Sequence, residues 1–270
     1  MLDDVIPPCE IVPAGPFLMG TPDAERSGLA KRYGGTRESY AEESPQHMVD
    51  VPAFAMMRVP VTNAAYERWV VDTGARPPST WRGNRAPAEL RCHPVADVSW
   101  DDAVAFAAWL SEMSGTPWAL PTEAQWEKAA RGAEGRQFPW GNAFDPDCCN
   151  VRESGRPGTT PVDAYPEGAS PYGILDMAGN VWEWTRSLQA PYPFLEDGRN
   201  DAPPLREGRG LLARLMMRTG GGRRVLDTRR VLRGGCYANP EGFARCACRF
   251  RLAPASRTPF LGFRLVRALR

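Results

Sequence analysis

The sequence predicts one α+β domain of short, twisted antiparallel strands, about three helices and much irregular backbone. Three observations lead there. Glycine (26) and proline (27) make up about a fifth of the 270 residues, above the usual share, so elements must be short and a long-helix bundle is excluded. Three helix starts are announced by capping residues. The β-rich stretches are brief and interrupted by prolines, which confines them to edges and corners. A chain of this length buries a sizeable core, and the domain is read as 1–270 with a long loop insertion at about 186–230.

Taken in order, residues 11–19 read as a strand entering a turn at Gly20, and the polar, Gly-rich stretch 21–47 as a surface loop. Residues 47–54 and 58–61 read as short strands broken by Pro52 and Pro60. Thr62 opens a helix over 62–72, with Tyr66, Trp69 and Val70 on one face. Ser99 opens another over 99–113, lined on one side by Trp100, Ala103, Ala107 and Leu110. Thr122, with Gln125 three residues later, forms a capping box for a helix over 122–131. Beyond Gly132 the chain breaks into short pieces rich in Trp, Asn, Gly and Pro. The 186–230 stretch, with Pro191, Pro193, Pro203, Pro204 and Gly220 to Gly222, is the least regular part, and loops of that length usually serve a function. Short strands return from Arg230, ending over 261–267.

The net charge of +1 hides an asymmetry. From Arg206 to Arg270 there are sixteen arginines, no lysine and three acids, Glu207, Asp227 and Glu241. The basic stretch lacks the interleaved aromatics of single-strand binders, so nucleic acid is not the expected partner, and its arginines are read as reaching back to acids of the N-terminal part. No apolar run approaches the ~20 residues that span a bilayer, so no membrane partner is expected. The N-terminus has acids and prolines where a signal peptide needs a basic start and an apolar run, and seven cysteines without repeating spacing fit a reducing compartment. The expected location is cytoplasmic.

Eight stretches, in order, carry a family resemblance: IVPAGPFLMG at 11–20, PVT at 60–62, PVADVSWDDAVAFAAWL at 94–110, LPTEAQWEKAARG at 120–132, FPWGN at 138–142, TTPVDAYPEGASPYGILDMAGNVWEWT at 159–185, RVLRGGCY at 230–237 and LGFRLVR at 261–267. Together they resemble the formylglycine-generating enzyme, or sulfatase-modifying factor, family. The resemblance implies a C-type-lectin-like fold. It also implies a structural calcium held by the side chains of Asp176 and Glu183 with the carbonyls of Gly179 and Val181. Read from the residues alone, Gly179-Asn180 is a turn, Trp182 and Trp184 are core anchors on one face of a following strand, and Glu183 on the other face suits a hard cation. A second family calcium would start at Asn150 and Val151, with Glu153 or Ser154 replacing a missing acid; an ordinary Asn-led turn explains the same residues.

The oxidase of this family uses Cu(I) held by two closely spaced cysteines after the RGG motif. Here that segment reads GGCYANPEGFARCACR. Asn239 stands where the first ligand would be, and no cysteine lies between Tyr237 and Arg245. Copper is therefore not expected, and neither is catalysis. Cys246 and Cys248 form a C-x-C that would direct both thiols to one side of a strand, as a soft metal requires; the other reading is that Cys246 is a small buried residue and Cys248 its neighbour. Cys148-Cys149, if extended, gives one buried and one exposed thiol. His47 and His93, the two histidines, are far apart in sequence and do not suggest a multi-histidine iron site, which argues against the related sulfoxide synthases of thiol-histidine biosynthesis.

The reading that follows is a non-catalytic binding module whose surface lies in 236–260. Family proteins without the copper cysteines include variable ligand-binding proteins of diversity-generating retroelements, which display residues in this region. The expected contact residues are Tyr237, Asn239, Phe250, Leu252, Ser256, Thr258 and Phe260, with Arg245, Arg249 and Arg257 as struts held by acids or carbonyls. The partner would be a protein or another macromolecule. The alternative is an oxygen-dependent oxidase of the formylglycine-generating type with altered metal ligands.

Overall fold

A computed structural model describes residues 5–195 and 229–269; most of the 186–230 stretch lies outside them. The elements in chain order are β1 (Cys9–Val12), β2 (Gly15–Met19), α1 (Arg26–Tyr33), β3 (His47–Val51), β4 (Phe54–Met57), α2 (Asn63–Thr73), α3 (Trp100–Ser114), α4 (Glu123–Arg131), β5 (Trp182–Leu188), β6 (Arg230–Arg233), β7 (Phe250–Leu252), β8 (Leu261–Gly262) and β9 (Val266–Ala268). Among the described residues they form three sheets: β1-β4-β9, β2-β3, and β7-β6-β5-β8. All pairs are antiparallel except β5 with β8, where Trp182 lies opposite Leu261 in parallel register. No helix of the described residues is long and apolar enough to cross a membrane.

The three capped helices form as the sequence predicts. Thr62 accepts from the Ala65 amide at 3.2 Å. Ser99 and Asp102 exchange bonds at 3.1 and 2.7 Å, and Thr122 and Gln125 do so at 3.0 and 2.9 Å. Helix α1 falls in the stretch expected to be loop. Its sequence, RSGLAKRY, buries Leu29 alone and holds a glycine inside, so no apolar stripe announces it; its C-terminal end is fastened from outside, by the Tyr40 hydroxyl donating to the Gly34 carbonyl at 2.9 Å.

Two strand expectations are corrected. The 11–19 run is divided between β1 and β2, in different sheets, because Pro13 offers no amide and Gly15 takes φ +127°. Lys128 clamps that corner, donating to the carbonyls of Pro13 and Gly15, each at 2.7 Å. Residues 58–61 form no strand; the Arg58 and Val61 amides donate instead to the Pro8 and Phe263 carbonyls, at 2.8 and 3.0 Å. In addition, β5 continues to Leu188, three residues into the expected insertion.

Trp182 and Trp184 both enter the larger core, with Tyr66, Trp69, Phe106 and Phe263. The buried indoles are satisfied: Trp184 donates to the Val98 carbonyl and Trp100 to that of Thr185, both at 2.9 Å. A second core gathers Phe17, Phe54, Trp126 and Met177.

Between the cores runs a buried ionic lattice. Arg233 donates to Glu123 at 2.6 Å, Glu127 at 2.8 Å and the Tyr192 hydroxyl at 2.8 Å. Glu127 also accepts from Arg131 and the Gly20 amide, each at 2.7 Å. Arg249 joins through Glu123 at 2.9 Å and lies 4.2 Å over the Tyr192 ring. Burial raises the Glu123 carboxyl, but Arg249 and Arg233 outweigh it and hold the group below the usual carboxylate range. Arg233→Met leaves two buried carboxylates short of a partner, and the expected loss is about 3–5 kcal/mol in urea unfolding; a loss below about 1 kcal/mol would show that the lattice does not support the fold.

Candidate functional site

Two regions hold the residues singled out by sequence: the turn before β5, and the C-terminal segment 236–260. The turn is tight by necessity. Gly179 has φ +78°, and a Cβ there would sit 2.2 Å from the Asn150 carbonyl oxygen. Asn180, with φ +61°, ties the turn together. Its amide group donates to Asp176 Oδ2 at 3.0 Å and the Thr160 carbonyl at 3.1 Å, and its side-chain oxygen accepts from the Thr160 amide at 3.0 Å.

The proposed calcium ligands are engaged differently from what the resemblance implies. Both Glu183 oxygens are occupied: Trp126 Nε1 donates at 2.8 Å, Arg264 Nε at 2.7 Å and Arg264 Nη2 at 2.6 Å. A cation at Glu183 would have to displace a fully buried guanidinium, so this carboxylate does not fit as an open ligand. Asp176 is buried beside it, its carbonyl accepting from Arg264 at 3.1 Å. At the second position, Asn150 is fully buried, its carbonyl accepts from the Asn180 amide at 2.7 Å, and the Val151 carbonyl accepts from Ser154 at 2.6 Å. These are the bonds of an Asn-led turn. The Val181 carbonyl and Gly179 belong to the same loop, whose Gly179 amide donates to Gly234 at 2.7 Å.

In the C-terminal segment, Tyr237 and Asn239 form a turn stacked on that loop. The Tyr237 amide donates to the Asn180 carbonyl at 3.1 Å, and the Asn239 carbonyl accepts from the Arg152 amide at 2.9 Å. Asn239 Oδ1 accepts from the Cys236 thiol at 3.1 Å. Gly235 is required here, since a Cβ would meet the Phe243 carbonyl at 2.8 Å.

An aromatic cluster lies alongside. Trp182, buried, meets Phe250 at 5.6 Å and Phe243 at 6.3 Å between ring centroids. Phe250 is 42% exposed and Phe243 39%. Tyr237 is half-buried. Leu252 and Phe260 are also half-buried, packed against the larger core, and the Phe260 carbonyl accepts from the Trp182 amide at 2.8 Å. Ser256 and Thr258 lie apart, in the turn docked on the start of α3: the Trp100 amide donates to Pro254 at 2.9 Å, the Asp97 amide to Thr258 at 2.9 Å, and Arg257 pairs with Asp102 at 2.6 Å. The Thr258 hydroxyl oxygen is buried and has no hydrogen-bond partner among the described residues. Phe243 was missed by sequence reading, because it falls in an irregular stretch where no periodicity assigns a face.

The arginines of this segment are tied down. Arg245 forms a two-pronged bridge to Glu43 at 2.8 and 3.1 Å, Arg249 joins the lattice at Glu123, and Arg251 pairs with Glu42. Within 236–260, each of these arginines is thus matched by an acid from earlier in the chain.

The thiols of the C-x-C lie in different cores. Cys246 belongs to the second core, whereas Cys236 and Cys248 belong to the first. The C-x-C lies in a turn ahead of β7, not on a strand, which removes the geometry that would aim both thiols one way. Burial pushes the Cys246 and Cys248 thiols up to about 12. Cys148 and Cys149 are both buried, correcting the expectation of one exposed thiol: Cys148 ends a 3-10 turn at Pro146–Cys148, so the two do not lie on one extended run. His47 and His93 serve locally, His47 Nε2 accepting from the Phe194 amide at 2.8 Å and His93 lying 2.9 Å from the Thr159 hydroxyl.

Residues 6–269 match the sulfatase-modifying factor enzyme 1-like domain. The chain is 34% identical to hercynine oxygenase of Mycolicibacterium smegmatis across 94% of this chain and 60% of that protein, so it spans well under the full length of that relative. It is 30% identical to the formylglycine-generating enzyme of Mus musculus, across 94% of this chain and 73% of that one. It is 33% identical to the inactive C-alpha-formylglycine-generating enzyme 2 of Mus musculus, across 67% of this chain and 68% of that one. Among solved structures, PvdO from Pseudomonas aeruginosa superposes with TM-score 0.72 at 26% identity, covering 97% of this chain and 95% of that one. Treponema denticola variable protein 1 superposes with TM-score 0.69 at 22% identity, with the same coverage, a likeness of fold.

Asp176 supplies a measurable signature. Burial pushes its carboxyl up to about 7, against the opposing pull of the Asn180 hydrogen bond and Arg264. Between the ordinary value and about 7, the folded chain holds a proton that the unfolded chain releases. In chelator, stability should fall as pH rises through about 4 to 7 and level off above, by on the order of 4 kcal/mol from this group. Asp176→Asn should flatten that part of the profile. A slope that disappears from the wild type in excess calcium would instead place the ion on Asp176.

Proposed function

The chain belongs to the sulfatase-modifying factor enzyme 1-like family, and from that premise we propose that it is a non-catalytic binding module whose recognition surface is centred on Trp182, with Phe243, Phe250 and Tyr237 around it. The observation that carries this reading is the pair of solvent-facing phenylalanines flanking Trp182, on a segment whose arginines are internally neutralised. Large exposed aromatics are costly in water unless covered, and aromatics are favoured anchors at interfaces. The fixed backbone beneath them lowers the ordering cost of binding. The partner is a protein or another macromolecule that offers an apolar segment.

The oxidase alternative needs a pair of thiolates. Against it stand the separation of Cys246 from Cys236 and Cys248 into different cores, and the turn bonds made by Asn239 at the position of a family ligand. The mouse relative described as inactive lends support, since the family scaffold persists there under that description.

Peptides selected from a random display library on the full chain should lose about tenfold or more in affinity to the Phe243→Ala/Phe250→Ala double variant, with the melting temperature little changed. The competing reading is tested by adding Cu(I), oxygen and a cysteine-containing sulfatase peptide. Formation of formylglycine would overturn the binding proposal.

A further inference from the structure

Beside Phe243 the 33–43 and 242–249 segments enclose a cleft of about 210 Å³. This is larger than the roughly 150 Å³ apolar cavity that holds benzene. We propose that it is a pocket for one tyrosine side chain of a peptide partner, a proposal that rests on reading the Trp182 face as a recognition surface. Tyr33, Tyr40 and Phe243 line it with rings, and Gly34, Gly35 and Gly242 leave it open by adding no side chains.

The chemistry of the lining selects among occupants. A cation finds the ring faces taken, because the Arg245 guanidinium lies over Tyr40 at 5.1 Å and Tyr33 at 5.5 Å. An anion meets the carboxylates of Glu42 and Glu43, and Arg245 is already committed to Glu43 in a two-pronged bridge. A neutral ring remains. The Tyr33 hydroxyl oxygen is buried and has no hydrogen-bond partner, which an occupant with a polar edge would supply; leaving such a group unpaired is costly. A phenol satisfies both demands, whereas an aliphatic side chain or a plain phenyl ring satisfies the apolar one alone.

The pocket is also built in advance. The Tyr40 hydroxyl is fixed on Gly34, and Thr36 and Ser39 exchange bonds across the 3-10 turn that carries Tyr40. The recognition face continues into it, since Phe243 is at once a wall of the pocket and a neighbour of Trp182, which in turn meets Phe250. A peptide lying along Phe250 and Trp182 would drop one side chain past Phe243 into the cleft.

The test uses the full chain and small probes. Saturation-transfer NMR should detect p-cresol and N-acetyl-L-tyrosinamide, with toluene weaker by about fivefold or more and n-butylammonium not bound. Ser39→Trp, at an exposed position on the rim, should block both phenols, whereas Ser39→Ala, which loses the same bond to Thr36, should retain them, and Phe243→Ala should weaken them. Equal binding of p-cresol to wild type and Ser39→Trp, or no binding to wild type, would overturn the proposal. Library peptides sensitive to Phe250→Ala but indifferent to Ser39→Trp and without tyrosine would also remove the pocket, while leaving the surface reading in place. Phenol binding blocked by Ser39→Trp would support the pocket even if no peptide engaged Phe250, and the surface reading alone would then fail.

Discussion

The structure depends on Arg233. Its guanidinium is fully buried between Glu123 and Glu127 of α4, and through those two carboxylates it reaches the rest of the molecule. Glu127 holds the Gly20 amide and Arg131; Glu123 holds Arg249 and the Tyr192 hydroxyl. A buried ion is expensive to desolvate, and a buried pair is seldom a net gain over apolar packing. What such a lattice enforces is arrangement. Each member is satisfied in one geometry, so β6, α4, the corner at Gly20 and the 249 position must meet as they do. We therefore read the lattice as a device for specificity of fold, consistent with the way its bonds connect segments far apart in sequence.

The same pattern recurs at lower stakes around the molecule. Arg264 closes on Glu183, Arg245 on Glu43 and Arg257 on Asp102. In each case an arginine of the C-terminal quarter meets an acid from earlier in the chain. Neutralising these cations internally decides what the C-terminal face presents. Charge is drawn inward, and the groups left outward between the struts are rings: Phe243 and Phe250 over Trp182. The exposure of these rings is thus a consequence of the ionic frame, because the backbone between fixed arginines has little freedom to withdraw them into a core.

This division explains what the sequence revealed. The capped helices were legible because Thr62, Ser99 and Thr122 make local bonds to residues three positions on, and local bonds leave local signatures. The tryptophans of β5 were legible as core anchors from their alternation alone. Helix α1 was not, since Leu29 is its single buried residue and Tyr40, outside the helix, secures its end. The break at Pro13 was present in the sequence, but its sheet assignment depends on Lys128, over a hundred residues away. The Glu183 carboxylate illustrates the limit most directly. An acid between two tryptophans reads equally well as an ion ligand or an arginine partner, and the approach of Arg264 from the far end of the chain, on both its oxygens, leaves no local mark in the sequence. Phe243 was hidden for a related reason, for exposure in irregular backbone is set by tertiary neighbours.

The frame and the face are physically separable. The residues that position the core are the lattice of α4 and β6, the Glu183–Arg264 pair and the tight turn at Gly179. None of them lies in the 237–244 stretch where the family's copper chemistry would begin. Within that stretch the backbone satisfies itself: Asn239 accepts from Cys236 and Arg152, and Tyr237 donates to Asn180. Tyr237, Asn239 and Phe243 can change side chain without leaving a buried charge behind, whereas Ala244 is fully buried and a Cβ at Gly242 would meet Tyr33 at 2.8 Å, so the fold holds those two. Fold and activity are then under different physical control, as expected where function is carried by a site on a scaffold. A surface held between fixed arginines is rigid and presents rings outward, and those are properties a binding face requires.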